Sequence, residues 1–300
     1  MDKNTSSTKY SEGAARIDGA IVPISEAKIP ILDWGFLRSD ATYDVVHVWK
    51  NKFFRIDDHI ERFFAGMKRL HMDIGMTPAQ VKQVMIDCVK AAGLSDAYVE
   101  IVCTRGQPKP GSRDPRTCKN QFWAFAIPFV NILESGKEGL SVVISQRQRI
   151  PAASVDPTIK NYHWLDLVLG LYEAYDQGAE SVLLVDEQGY LCEGPGFNIF
   201  VWKDKTLMTP RCGVLRGITR KTILELGQSL GLEVCETDII SEVAMTADEI
   251  FVTSTAGGVI PVIVLNGTPV DDGKPGLITK KLKQAYWALH SDPDYSLSLE

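Results

Sequence analysis

Two short motifs decide how this chain is read: Asp156-Pro157-Thr158-Ile159-Lys160-Asn161 and, beyond a helix-like run and a strand, Glu193-Gly194-Pro195-Gly196-Phe197-Asn198. Lys160 lies between a proline-marked turn and an apolar periodic segment. A partly desolvated amine in such a place can attack a carbonyl carbon. Glu193 follows an apolar strand and precedes a Gly-Pro-Gly turn, so a tightly bent backbone presents its carboxylate. The rest of the chain supports or opposes that pair.

The chain has 300 residues, enough for one large or two ordinary domains with ample core. An apolar fraction of 45% with 23% charged residues describes a soluble globular protein. The net charge of −6 argues against nucleic acid as a partner. The 6 cysteines are scattered without a C-x-x-C pair, and the 5 histidines show no ligand spacing. Reduced thiols in a cytoplasmic protein are therefore expected, with no structural disulfide and no metal site. No apolar run is of membrane length, so no membrane partner is expected.

Outward from the two motifs, Leu140 to Ser145 reads as a strand ahead of the polar run Gln146-Arg147-Gln148-Arg149, and Tyr162 to Asp176 as a helix. Ser181 to Asp186 and Tyr190 to Cys192 flank a Glu-Gln-Gly turn, and Phe197 to Trp202 turns into Thr206 to Met208. Gly213 to Lys221 opens a helix that Gly231 stops, and Thr255-Ala256-Gly257-Gly258 ends the strand Glu249 to Ser254. A hairpin about Asn266-Gly267 and a helix near Leu277 to His290 close the chain. Toward the N-terminus, Asp33 to Asp40 reads as a loop and Thr42 to Trp49 as a strand. A helix capped by Asp57 or Asp58 carries Ile60, Phe63, Phe64, Met67 and Leu70 at helical spacing. Thr77-Pro78-Ala79-Gln80 is a capping box. On the strand Ala97 to Thr104, Tyr98, Glu100, Val102 and Thr104 share one face. The long basic loop from Arg105 to Asn120 reads as functional or mobile. The expected domains are a tail over 1–16, a small domain over 17–131, a linker over 132–139 and a larger domain over 140–300.

Three places suit a phosphate. Gly217-Ile218-Thr219 lies at a helix start, where amide N–H groups and the dipole favour an anion. Thr255 beside Ala-Gly-Gly offers a hydroxyl and an open backbone. Arg62 offers a guanidinium. Each alone is more often a cap or a solvated side chain. An imine-forming lysine, a carboxylate for a ring nitrogen and a phosphate cradle together suit pyridoxal 5'-phosphate (PLP).

On these residues the chain resembles the class IV, or fold-type IV, PLP-dependent transaminases, from about Ile17 to about His290. The resemblance implies an α/β (α+β) fold with a smaller N-terminal α/β sandwich domain and a larger C-terminal pseudo-barrel domain. It implies that Lys160 is the catalytic, Schiff-base lysine and that Glu193 pairs with the pyridine nitrogen. Arg62 in Asp58-His-x-x-Arg62, Gly217, Ile218, Thr219 and Thr255 match the family's phosphate cradle. It also implies a homodimer whose site takes residues from both chains.

Within the family the finer match is to (R)-selective amine transaminases, which implies transfer from a primary amine to a keto acid such as pyruvate, through pyridoxamine phosphate. Branched-chain enzymes carry an arginine on the strand corresponding to Ala97–Thr104, where this chain has Tyr98-Val99-Glu100. Arg38, Tyr43, Val45, Tyr98, Glu100, Trp164 and Ala256 are the expected pocket residues. Arg113, from the basic loop, is an expected partner for the acceptor's carboxylate. The alternatives are a branched-chain or D-amino-acid transaminase, an aminodeoxychorismate lyase, or a non-catalytic binding protein on the same fold.

Overall fold

The computed structural model describes residues 10–299, which divide into two compact units. The first comprises residues up to Val130, Ile159–Tyr162 and the segment from His290 onward. Strand labels follow chain order. Its strands are β1 (Ala14–Ile17), β2 (Ala20–Pro23), β3 (Ala41–Trp49), β4 (Lys52–Phe54), β5 (Ala97–Gln107), β6 (Lys119–Pro128) and β16 (Ser296–Ser298). They form one antiparallel sheet in the order β16-β4-β3-β5-β6-β1-β2. Its helices are α1 (Trp34–Arg38), α2 (Ile56–Arg69) and α3 (Pro78–Ala92).

Alternation along β3 and β5 divides the work of this sheet between its faces. Val46, Val48, Val99, Ile101 and Cys103 join Ile60, Phe63 and Met67 of α2 and Val81, Met85 and Val89 of α3 in the main core. The opposite face gathers Tyr43, Val45, Val102 and Trp123, with Tyr98 and Tyr162 against them. α3 starts on the expected capping box, in which the Thr77 side chain accepts from Gln80 N while the Gln80 side chain accepts from Thr77 N.

The second unit comprises Asn131–Thr158 and His163–Leu289. Its strands are β7 (Leu140–Gln148), β8 (Ser181–Val185), β9 (Glu193–Gly194), β10 (Phe197–Lys203), β11 (Thr206–Pro210), β12 (Glu233–Thr237), β13 (Glu249–Ser254), β14 (Gly258–Leu265) and β15 (Thr268–Pro269). They make one mixed sheet with the path β12-β11-β10-β13-β14-β7-β8, β9 beside β10 and β15 beside β14. The helices are α4 (Leu165–Asp176), α5 (Ile218–Ser229), α6 (Ser241–Met245) and α7 (Leu277–Ala288). Ile144, Leu183, Ile199, Val252 and Val262 centre the core of this unit. α4 packs Leu167 and Ala174 against Val143, Val182 and Leu184 on the strands beneath.

Several elements differ from the expectations. The Lys160 segment was placed in the larger domain but belongs to the first unit, because β3 captures it. Thr42 Oγ1 and Tyr43 N both donate to Lys160 O, at 2.8 and 3.2 Å, and Asn161 bridges Thr42. Residues 290–299 likewise join the first unit, where β16 pairs β4. Residues 132–139, expected as a linker, lie within the second unit. Of the expected tail, residues 1–9 lie outside the described residues, while Ala14–Ile17 is paired strand. The loop at Asp33 is instead the start of helix α1, with the Asp33 side chain accepting from Gly35 N. Neither Asp57 nor Asp58 caps α2. Arg55 takes that position in the left-handed region, and its Nε donates to Asp58 at 2.5 Å. The helix after Lys160 starts at Leu165, not Tyr162.

Candidate active site

In the first unit, Lys160 sits among aromatic rings and one buried acid. Its Nζ lies 4.4 Å from the centre of the Tyr43 ring, which stacks on Tyr162 at 4.3 Å. Glu100, on the same face of β5 as Tyr98, is 8% exposed. Its carboxylate accepts from Tyr162 Oη at 2.5 Å and from Tyr98 Oη at 3.2 Å. Burial pushes the Glu100 carboxyl up from its ordinary value, and the Tyr162 bond, the Lys160 charge and the Tyr98 bond only partly offset it. Burial and the neighbouring carboxylate also push both phenols up, so they act as donors to Glu100. Tyr43, Val45, Tyr98, Glu100 and Lys160 thus lie together on one side of this sheet.

Across the sheet, Arg62 on α2 reaches the fully buried Asp44 of β3. Arg62 Nε donates to Oδ2 at 2.7 Å and Nη2 donates to Oδ1 at 2.8 Å. His59 Nδ1 meets Oδ1 at 2.8 Å. Burial alone would push the Asp44 carboxyl up. The charge of Arg62 and the hydrogen bonds from Arg62 and His59 outweigh it and hold the carboxyl well below the usual range. Burial pushes His59 down, so it is a neutral imidazole whose Nδ1–H donates to the carboxylate.

The second unit holds Glu193, 7% exposed, in β9. Its register opposite Asn198 of β10 follows from the Gly-Pro-Gly turn between them. A Cβ on Gly194 would lie 2.3 Å from both the Phe197 ring and Val182 O, and Gly196 has a φ of +78°. Both positions therefore require glycine. Glu193 Oε1 accepts from Arg149 Nη2 at 3.0 Å, and Oε2 accepts from Leu215 N at 2.9 Å. Asn198 Nδ2 lies 3.5 Å from Oε2 and donates to Leu215 O at 2.9 Å. Arg149 also pairs with Asp166 of α4. Burial would lower its pKa, but the two carboxylates raise it and keep the guanidinium charged. Arg149 Nη2 and Leu215 N thus each hold one oxygen of the Glu193 carboxylate.

α5 begins at Gly217 with no side-chain cap and no acid in its first turn. Its first amide N–H groups thus have no capping side chain to accept from them, the condition an anion exploits. A Cβ at Gly217 would lie 2.2 Å from Asn198 Oδ1, so only glycine allows this approach. Ile218 and Thr219 are buried behind it, and Thr255 is half-buried just past β13. Two residues before Thr255, Thr253 Oγ1 is buried without a hydrogen-bond partner. A lysine amine in the first unit, and a paired buried carboxylate and an uncapped helix start in the second, are each groups that suit PLP.

Of the remaining expected residues, Arg38 and Arg113 lie in the first unit and Trp164 and Ala256 in the second. Arg38 stacks its guanidinium 3.4 Å from the centre of its own helix's Trp34 ring. Arg113 is exposed in the loop between β5 and β6. Trp164 caps α4, and Ala256 donates its N–H to Ser254 Oγ at 3.1 Å. Four contributors were missed: Asp44, His59, Arg149 and Tyr162. For two of them the signal was present, since His59 and Arg62 are three apart on one helix and Tyr162 lies two residues after Lys160. Among the described residues, no helix is long and apolar enough to cross a membrane, and no group of three potential ligands could hold a metal.

Residues 41–264 match the family described as amino-transferase class IV. A Methanocaldococcus jannaschii protein with the provisional name branched-chain-amino-acid aminotransferase is 32% identical, over 90% of this chain and 94% of its own length. The D-alanine aminotransferase of Bacillus licheniformis is 26% identical, over 89% and 94%. Among solved structures, the branched-chain aminotransferase of Thermoproteus uzoniensis with norvaline has a TM-score of 0.88 and 26% identity, over 96% of this chain and 99% of that one. The chain belongs to the class IV aminotransferases, with the mixed α/β architecture of fold type IV. It is a PLP-dependent aminotransferase; solved neighbours in the family hold PLP or its amine form.

Proposed function

We propose that this enzyme moves the amino group of a primary amine, preferentially the (R) enantiomer, onto a keto acid such as pyruvate. The observation that carries the choice of donor is Glu100. Its strand corresponds to the one on which branched-chain enzymes carry an arginine for the donor's carboxylate. Here that strand offers a buried acid held by two phenols. An acid and two hydroxyls already bonded to it give a substrate carboxylate no cation to meet, whereas an uncharged substituent lies readily against Tyr43 and Val45. The preference for (R) rests on the resemblance of the pocket residues alone.

When bound, PLP supplies the electron sink that lets the donor's Cα proton leave. Lys160 would hold the cofactor, and its amine would carry the Cα proton as a general base. The packing of Lys160 Nζ over the Tyr43 ring limits where that amine can swing. Glu193, set by Arg149 and Leu215 N, would keep a proton on the ring nitrogen. Arg62, the start of α5 and Thr255 would be the groups that hold its phosphate. Arg113 meets the acceptor's carboxylate from the loop.

A branched-chain or D-amino-acid aminotransferase is the second reading, favoured by the names of the relatives. Offering both enantiomers of a simple arylalkylamine, of alanine and of leucine, with pyruvate or 2-oxoglutarate, separates the two. Bleaching of the cofactor by the (R)-amine supports the proposal. Activity confined to L-branched amino acids with 2-oxoglutarate sinks it. A homodimer completes the proposal. Leu165, Val168, Leu169, Tyr172 and Tyr175 form an exposed apolar stripe on α4, a surface that a second copy would cover. A monomeric mass in solution at working concentration would refute the dimer.

A further inference from the structure

We propose that Asp44 is a positioning residue that aims the Arg62 guanidinium at the cofactor phosphate, with His59 fixing the carboxylate. This inference rests on the reading of Arg62 as a phosphate ligand. A side chain three residues from His59 on α2 shares its side of the helix, so His59 and Arg62 approach β3 together. Asp44 faces them from the core side of β3, the side also taken by Val46 and Val48. Two parallel bonds, from Nε to Oδ2 and from Nη2 to Oδ1, fix the plane of the guanidinium as well as its position.

The carboxylate is fixed in turn. Oδ1 also accepts from His59 Nδ1 and from Val45 N, each at 2.8 Å. Four donor bonds on two oxygens leave Asp44 no rotation that keeps them all. The pair uses the Nε–Nη2 edge of Arg62, which turns the Nη1 side of the plane away from Asp44. A lysine in place of Arg62 would carry the charge but not the orientation.

The placement in the chain adds a reason. Thr42 and Tyr43 bond Lys160 O, and the next residue, Asp44, bonds Arg62. Three consecutive residues of one strand therefore set both the backbone of the cofactor-holding lysine and the side chain of the phosphate-holding arginine. An acid that merely neutralised Arg62 would weaken phosphate binding. An acid that orients Arg62 strengthens it.

The test compares PLP with pyridoxal, which lacks the phosphate, by fluorescence titration of full-length protein stripped of cofactor. The readout is the ratio of the two affinities, which a merely structural defect does not move. Asp44→Asn is expected to lower that ratio about tenfold while leaving pyridoxal binding in place, the scale of one charge-assisted bond lost to misorientation. Arg62→Ala is expected to lower it at least as far, and the double variant no further than Arg62→Ala alone. An unchanged or raised ratio in Asp44→Asn, with Arg62→Ala still lowering it, overturns the positioning role alone. An unchanged ratio in Arg62→Ala overturns the reading of Arg62 and the inference with it. Should Asp44→Asn fail to fold, His59→Gln carries the same test: a ratio lowered about threefold supports the inference, and an unchanged one overturns it.

Discussion

Asp44 and Glu100 occupy neighbouring register positions on paired strands, Asp44 opposite Ile101 and Val45 opposite Glu100, yet they face opposite sides of the sheet. Both are buried acids among apolar residues. Asp44 meets an arginine, a histidine and a backbone N–H; Glu100 meets two phenols. Burial penalises either charge alike, so the partners decide the outcome. The cation on α2 holds Asp44 ionised, while neutral hydroxyls leave Glu100 with a raised pKa. One face of the sheet uses its acid to anchor a cation, and the other uses its acid to set the character of a pocket. The two-sided alternation of a strand lets three residues, 43 to 45, serve both.

The largest expected effect comes from the residue that both faces hold. Lys160→Ala should abolish turnover, by about a thousandfold or more, because it removes the amine proposed to hold the cofactor and move the proton. It should nonetheless fold. The bonds from Thr42 Oγ1 and Tyr43 N go to the Lys160 carbonyl, which alanine retains. A turnover assay alongside a thermal melt checks both statements. Near-normal turnover would end the assignment of Lys160.

The next effect bears on the pocket face alone. Glu100→Gln keeps the shape and a hydrogen bond to the phenols but removes the acid. The ratio of kcat/KM for an arylalkylamine over that for an amino-acid donor should fall about tenfold, the size of one lost repulsion at close range. Asp44→Asn, behind the sheet, should leave that ratio alone whatever it does to cofactor affinity. Equal shifts in both variants would mean that the faces are not separate in function.

The two acids also predict opposite pH trends in stability. The folded pKa of Asp44 lies below its ordinary 3.8, so its contribution is present above that pH and is lost as pH falls toward the folded value. The folded pKa of Glu100 lies above its ordinary 4.5. Its contribution is present below 4.5 and is lost as pH rises through the folded value. Asp44→Asn should therefore flatten the acid limb of a plot of Tm against pH. Glu100→Gln should gain on the parent as pH rises above 4.5. Parallel curves for all three proteins would remove the electrostatic contrast.

How much of this was legible in the sequence depends on the range of each cause. The faces of β5 were legible because alternation is local: Tyr98, Glu100 and Val102 needed no partner to be sorted. Gly194, Gly196 and Gly217 were read as turn and helix-start residues for the same reason. Asp44 passed as one more strand residue, since its meaning lies on α2 and enters only when the helix packs on the sheet. Arg149 was read within a polar run, though it reaches Glu193 and Asp166. The short α1 looked like loop because Trp-Gly-Phe-Leu-Arg offers barely a turn of periodicity. Its Gly35 is fixed from outside, where a Cβ would lie 2.4 Å from Thr104 Cγ2. The three-residue β16 carries no pattern at all and exists only because β4 offers it an edge.

The smallest effect is the one that tests whether stability and aim can be separated on the Asp44 face. Thr77 caps α3, whose Val81, Met85 and Val89 share the main core with Val46 and Val48 of β3. Thr77→Ala removes the bond to Gln80 N and should cost about 1 kcal/mol of stability, seen as a lower midpoint in denaturant. It touches neither Arg62 nor Glu100. The preference for PLP over pyridoxal and the donor ratio should both stay at the parent values. A shift in the cofactor preference would mean that general loosening of this core is enough to misdirect Arg62. The fourfold bonding of Asp44 would then be a consequence of tight packing rather than the cause of the arginine's orientation.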